Sequence, residues 1–485
     1  MRNLSLLTDY YELLMMQGIF LEGKSTYDRK AIFDMFYRQN PNNNGFSIFA
    51  GVEQLVDYIE NLHFEKEDID YLRKQNIFKE EFLNYLKDFK FSGSIYSFLE
   101  GSVIFPREPL VKVVAPLIQT QLIESALLNI INHESLIATK AYRVCKAANG
   151  DKVMEFGLRR AQGPDAGIFG ARAAIIGGCV GTSNVLTGKM FDVDIMGTMA
   201  HSWIMAFSNE EEAFKKFVDY YPNNAILLVD TYDTLKSGIP NAIKTFQYME
   251  EKNIPLTKYG IRLDSGDLAY LSIEARKMLD EAGFTNAIIC ASNDLDEDLI
   301  QSLKMQNAKI TLWGVGTKLI TSSNQASFGG VYKLVAIEDE KGELVPKIKL
   351  SDSTEKITNP GDKEVLRIYD NNEKIFADLI KLKEEQISEN DDLELFDPIE
   401  TWKRTTFKKG TYKIKKVMHP LFENGKKVYE NKKVIEIQEY TKKELSTLWE
   451  GTLRLTFPHE PHVDLSQKLW DMKNNYIKQK IKDWR

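Results

Sequence analysis

Between about residue 115 and residue 338 the chain alternates short apolar runs with longer amphipathic stretches, and few architectures accommodate that rhythm. Strand-like runs fall at 152–156, 191–196, 225–229, 259–263, 287–291, 310–313 and 331–337. Helix-like segments at 208–220, 239–251, 268–282 and 295–306 separate most of them. Parallel strands must be joined by long crossovers, usually helices, so the alternation predicts a parallel α/β sheet or a closed α/β barrel. The six or seven strand–helix units in this span favour the barrel over the open sheet.

The flanks read differently. Thr8 or Asp9 is a natural N-cap for a helix running through Tyr10, Tyr11 and Met16. A strand at 31–37 and a loop at 40–45 follow, then two or three surface helices over 52–91 and short strands over 93–114. This makes residues 1–114 an α+β domain. Residues 115–338 form the barrel domain, opened by a long helical stretch at 117–148. Residues 339–485 make a third, smaller domain, with strand-like pieces at 345–350 and 366–369, hairpins at 411–417 and 433–438, and a closing helix at 470–485. His459 and His462 stand between prolines, at a spacing that fits no common zinc pattern, so a rigid loop is favoured there over a metal pair.

Composition narrows the functional classes. The 485 residues carry 63 Lys and Arg against 70 Asp and Glu, a net charge of −7, which argues against a general nucleic-acid binder. Cys145, Cys179 and Cys290 are odd in number and widely spaced, as expected of buried thiols in a reducing compartment. No apolar run approaches ~18 residues and the first residues lack a signal-like apolar core, so a cytoplasmic protein without membrane association is expected.

Parallel α/β folds gather their chemistry at the carboxyl ends of the strands. Those positions here hold Arg159 and Arg160, then Thr198 and His201, then Asp230 and Asp233. Arg262, Asp264 and Asp267 follow, then Ser292, the Gly314–Thr317 turn and finally Gly329 and Gly330. Arginine forks suit carboxylate and phosphate oxygens, and glycine turns let backbone N–H groups approach a phosphate. Asp230, Asp233, Asp264 and Asp267 offer hard oxygens for magnesium or partners for ribose hydroxyls. Singly, each has a plainer explanation: an aspartate before a helix is an ordinary cap, and a lone histidine more often packs than reacts. Together, on one face, they describe a site for a phosphorylated, magnesium-bound sugar.

Several longer motifs carry a resemblance across nearly the whole chain. They are 8-TDYY-11, 155-EFGLRRAQGP-164, 197-GTMAHS-202, 262-RLDSGDL-268, Gly316–Thr317, 329-GGVYK-333 and 463-VDLS-466. The chain resembles the nicotinate phosphoribosyltransferases in their long bacterial form. The resemblance implies an irregular α/β barrel of the type II phosphoribosyltransferase kind, with an N-terminal α+β domain and a C-terminal extension. It implies condensation of nicotinate with 5-phosphoribosyl 1-pyrophosphate, coupled to ATP, in a magnesium-dependent homodimer with shared active sites.

The same resemblance makes His201 the phosphorylated histidine. Tyr11 and Phe156 become the pair that sandwiches the pyridine ring, with Tyr11 donated across the dimer. Thr198 matches a nicotinate-binding position, Arg262 and Thr317 match contacts to the phosphoribosyl donor, and Gly316, Gly329 and Gly330 would cradle its 5′-phosphate. Asp264 is the candidate for a ribose or magnesium contact. Arg159 and Arg262 are the candidates for the ring carboxylate, and Ser183 stands where the related nicotinamide enzyme carries an aspartate. A phosphoribosyltransferase for another base is the alternative within the class. A barrel hydrolase would need several histidine ligands, and the barrel region offers only His201 beyond its opening helix.

Overall fold

The computed structural model describes residues 3–351 and 356–483. The chain divides into two compact units: one joins the residues up to Leu136 with Ser327–Lys432 and those from Glu439 onward, and the other comprises Ile137–Ala326 with Lys433–Gln438. The first and last thirds of the sequence therefore fold together.

Strand pairing explains why. The strand Lys30–Phe36, buried at nearly every position, lies inside a seven-stranded sheet. It pairs antiparallel with Val111–Pro116 on one side and with Val331–Glu338 on the other. Farther along, Ser94–Ser97 pairs with His419–Glu423. The run expected as the last barrel strand, 331–337, thus belongs to this antiparallel sheet. Only Tyr332, Val335 and Ala336 of its eight residues are buried, which fits that placement, since a strand in a covered parallel sheet is buried throughout. Three helices, Val52–Glu60, Lys66–Lys74 and Glu80–Lys87, bury one apolar stripe each, with Val52, Leu55, Val56 and Ile59 forming the first. A four-stranded sheet in the same unit runs Lys413–Lys416, Lys363–Tyr369, Ile375–Leu382, His462–Leu465. The predicted helix over 117–148 is interrupted at Ile123, giving Leu117–Leu122 and Glu124–Ala147.

The second unit is built on a six-stranded sheet, parallel throughout. Its order is Gly181–Thr182, Lys152–Glu155, Leu312–Val315, Ile288–Ala291, Tyr259–Leu263, Ala225–Leu228. This is the barrel, irregular and half open. Ala225–Leu228 is buried at all four positions, as expected of a parallel strand covered on both faces. Helices Glu210–Tyr220, Ile239–Glu251, Leu268–Glu281 and Glu297–Met305 provide crossovers, and Asn209, Asp267 and Asp296 cap three of them with side-chain oxygens.

Two further sequence expectations fail in this unit. The run at 191–196 is not a strand: a helix, Val185–Phe191, capped by Asn184, ends at Asp192 in the left-handed conformation. Ile195 then makes a single bridge to Thr182. The stretch 433–438 is not a hairpin but the opening of the helix Val434–Ser446, in which Val434, Ile437, Gln438 and Thr441 are buried at helical spacing. Among the described residues no helix is long and apolar enough to cross a membrane.

Candidate active site

The strand order decides which side chains meet. Across the sheet, the residues just past the carboxyl ends are Ser183, Phe156, Gly316, Ser292, Asp264 and, one residue farther, Asp230. All of these but Asp230, which sits behind Asp264, line a cleft of about 490 Å3, together with Arg159, Arg160, Thr198, Arg262, Asn293 and Thr317. That volume suits a small-molecule ligand.

Arg262 organises the cleft. Its Nε donates to Ser292 Oγ at 2.8 Å, Nη1 to Thr198 Oγ1 at 3.0 Å and Nη2 to Asp264 Oδ1 at 3.1 Å. The guanidinium stands 5.7 Å from the centroid of the Phe156 ring. Three of the five N–H donors of an arginine are therefore engaged, and one on each terminal nitrogen is left for a ligand. The sequence places Ser292 at a strand end without pointing to a role; in the structure it donates to Asp264 as well as accepting from Arg262.

Phe156 is held from both sides. Its backbone N–H donates to Val315 O at 2.8 Å, and a Cβ built on Gly314 would lie 2.6 Å from the ring. Only glycine at 314 admits the ring in this position. Below it, Glu155 is buried, accepts from Thr182 Oγ1 at 2.6 Å and from the Gly157 N–H, and has its carboxyl pushed up by burial. The short helical turn Leu158–Arg160 then leaves Arg159 and Arg160 exposed at the cleft.

Asp264 connects the cleft to His201. The Asp264 backbone N–H and the Ser265 hydroxyl donate to Asp230 Oδ2 at 2.9 and 2.6 Å. Asp264 Oδ2 lies 3.9 Å from His201 Nε2, while His201 Nδ1 meets Thr231 Oγ1 at 3.1 Å. Asp230 Oδ1 is buried without a hydrogen-bond partner. The oxygens left over, Asp230 Oδ1 and Asp264 Oδ2, fit magnesium, which is commonly held by one or two carboxylates together with substrate phosphates. Among the described residues no group of three or more His, Cys, Asp or Glu side chains could hold a metal ion by itself, and the rings of His459 and His462 lie 6.3 Å apart.

The structure thus brings Phe156, Arg159, Thr198, His201, Asp230, Arg262, Asp264, Gly316 and Thr317 together in one unit. Tyr11, Gly329 and Gly330 belong to the other. Tyr11 is exposed on the helix Tyr10–Leu21 beside Glu12, whose carboxyl burial and Glu124 push up to about 7. The Gly330 N–H donates to Asn132 Oδ1 at 3.1 Å, and a Cβ there would come within 2.2 Å of the same oxygen. That amide is already engaged, so it is not a free phosphate donor here.

Residues 6–132 match the nicotinate phosphoribosyltransferase N-terminal domain, 152–383 the nicotinate phosphoribosyltransferase family, and 362–473 the corresponding C-terminal domain. A nicotinate phosphoribosyltransferase of Bacillus subtilis strain 168 is 46% identical over 98% of this chain and 95% of its own length. The chain belongs to the nicotinate phosphoribosyltransferase family. Another member, from Dictyostelium discoideum, is 34% identical over 97% of this chain and 87% of its own. Among solved structures, human nicotinic acid phosphoribosyltransferase is similar over 97% of this chain and all of its own, with a TM-score of 0.84 at 25% identity. The cleft lies at the carboxyl ends of the parallel strands, where parallel α/β folds gather their chemistry.

Proposed function

We propose that this chain condenses nicotinate with 5-phosphoribosyl 1-pyrophosphate, giving nicotinate mononucleotide and pyrophosphate in NAD salvage, with ATP hydrolysis coupled to the step. Besides family membership, the observation that carries this is Arg262, fixed by three partners beside Phe156 with N–H groups to spare. The pyridine nitrogen lone pair forms the bond to the anomeric carbon. The bond from that carbon to the pyrophosphate oxygen breaks, and its electron pair leaves with pyrophosphate. Positive charge develops on the ribose and negative charge on the leaving group, which a preorganised guanidinium stabilises.

Phe156 offers a face for the pyridine ring, and Thr198, oriented by Arg262, lies within reach of it. Arg159 supplies the cation for the ring carboxylate, and Ser183 in the cleft wall adds no charge to repel it. The Gly316–Thr317 turn is the anion cup, with Thr317 opening a short helix. Asp230 and Asp264 would hold magnesium, which when bound offsets the charge of the diphosphate.

With its Nδ1 proton donated to Thr231, His201 would keep an Nε2 lone pair to attack the γ-phosphorus of ATP as the bond to ADP breaks. The added phosphoryl charge then acts on Asp264 and Arg262 close by. A homodimer is supported by the helix Tyr10–Leu21, which exposes Tyr11, Leu14 and Met15 on one stripe. Tyr11 from the partner subunit would cover the ring opposite Phe156. Three free cysteines suit a cytoplasmic setting.

Initial rates with nicotinate and nicotinamide at equal concentration test the substrate assignment. The acid should react faster by about a hundredfold, the scale of one charged contact. A faster amide reaction would overturn it.

A further inference from the structure

A second cavity, of about 350 Å3, lies within the unit that contains the antiparallel sheets. Val335, Ile380, Val463 and Trp470 give it apolar walls, and Trp470 is held by a 3.1 Å hydrogen bond from its Nε1 to Pro398 O. Its polar lining is unusual. Lys363 Nζ is fully engaged, by Asp34 Oδ2 at 2.9 Å, Asn359 O at 2.7 Å and Gly361 O at 2.8 Å. Asp34, which is 2% exposed, is left with a buried Oδ1 that accepts no hydrogen bond. An orphaned buried carboxylate oxygen is costly unless something donates to it.

Two further cations line the same space. Lys473 Nζ has one partner, Asn359 Oδ1 at 2.8 Å, which leaves two of its three N–H donors open. Burial and repulsion from Arg107 and Lys363 push this ammonium down to about 8. Arg107 sits at a turn with φ of +75°, a conformation that disfavours any L side chain, fixed by its N–H to Tyr37 O at 2.7 Å. Among the described residues neither Lys473 nor Arg107 is paired with a carboxylate.

We infer that this cavity is a second small-molecule site, for a flat aromatic monocarboxylate that carries a hydroxyl or amino group. The apolar walls take the ring system, Lys473 and Arg107 take the carboxylate, and Asp34 Oδ1 accepts from the hydroxyl or amine. A multiply charged phosphate is disfavoured by the Asp34 carboxylate and by the predominance of apolar wall.

The probe is 6-hydroxy-2-naphthoate, titrated calorimetrically against the whole protein with nicotinate in saturating excess, so that the cleft at Arg262 is filled. One molecule should bind per chain. Its carboxamide analogue should bind at least about tenfold more weakly, and so should the acid to Lys473→Met or Arg107→Met, since each removes a charge-assisted hydrogen bond. Both variants should turn over nicotinate like the parent when the probe is absent, which shows that they fold. Displacement of the probe by nicotinate, absence of binding up to about 1 mM, or a loss below about threefold in both variants would overturn the assignment.

Discussion

Arg262→Ala should lower kcat/KM for nicotinate mononucleotide formation by about a thousandfold, close to the cost of removing a preorganised donor from a developing anion. Three consequences add together. The leaving pyrophosphate loses its guanidinium, Thr198 and Ser292 lose the donor that orients them, and Asp264 loses its charge partner. Arg262→Lys should recover little of this. A single ammonium has three donors on one atom and cannot span Ser292, Thr198 and Asp264 while still reaching a ligand. Steady-state rates over a range of both substrates read the effect, and an Arg262→Ala enzyme within about tenfold of the parent would remove the residue from the chemistry.

His201→Ala should still make nicotinate mononucleotide, but at a rate that ATP no longer changes. Only His201 offers a phosphorylatable imidazole in the unit that holds the cleft, and its Nε2 lies 3.9 Å from the Asp264 carboxylate that leans on Arg262. A phosphoryl group placed there puts negative charge beside that pair and alters how strongly Arg262 is neutralised. In the parent the ratio of rates with and without ATP should exceed one; in His201→Ala it should fall to about one. An equal ATP response in both proteins would show that the coupling runs through another group.

Much of this cleft is legible in the sequence. The strands at 225–228 and 259–263 are short, apolar and bounded by polar turns, so their carboxyl ends, and with them Asp230, Arg262 and Asp264, were legible. Less legible was how separate ends combine. That Ser292 lies between Arg262 and Asp264 follows from the neighbouring positions of Tyr259–Leu263 and Ile288–Ala291 in the sheet, which no local pattern encodes.

The misread elements have physical causes too. Val331–Glu338 has every mark of a strand, yet its partner is Lys30–Phe36, roughly three hundred residues away, and periodicity does not name a partner. Asp192–Ile195 alternates apolar and polar like a strand, but the capped helix before it ends only at Phe191 and leaves room for one bridge. In Val434–Ser446 the β-branched Val434, Ile435 and Ile437 favour a strand locally, whereas burial at i, i+3, i+4 and i+7 selects a helix. The cavity at Lys473 was invisible from sequence, because Asp34, Arg107, Lys363 and Lys473 come from four separate segments.

Hydrogen exchange of the intact protein, with and without magnesium and 5-phosphoribosyl 1-pyrophosphate, tests most directly whether the donor sits at the strand ends. Amides at 262–267, 292–294 and 314–317 should exchange more slowly with the donor present. Unchanged exchange in all three stretches, alongside protection elsewhere in the chain, would contradict the placement of the phosphoribosyl site at Arg262.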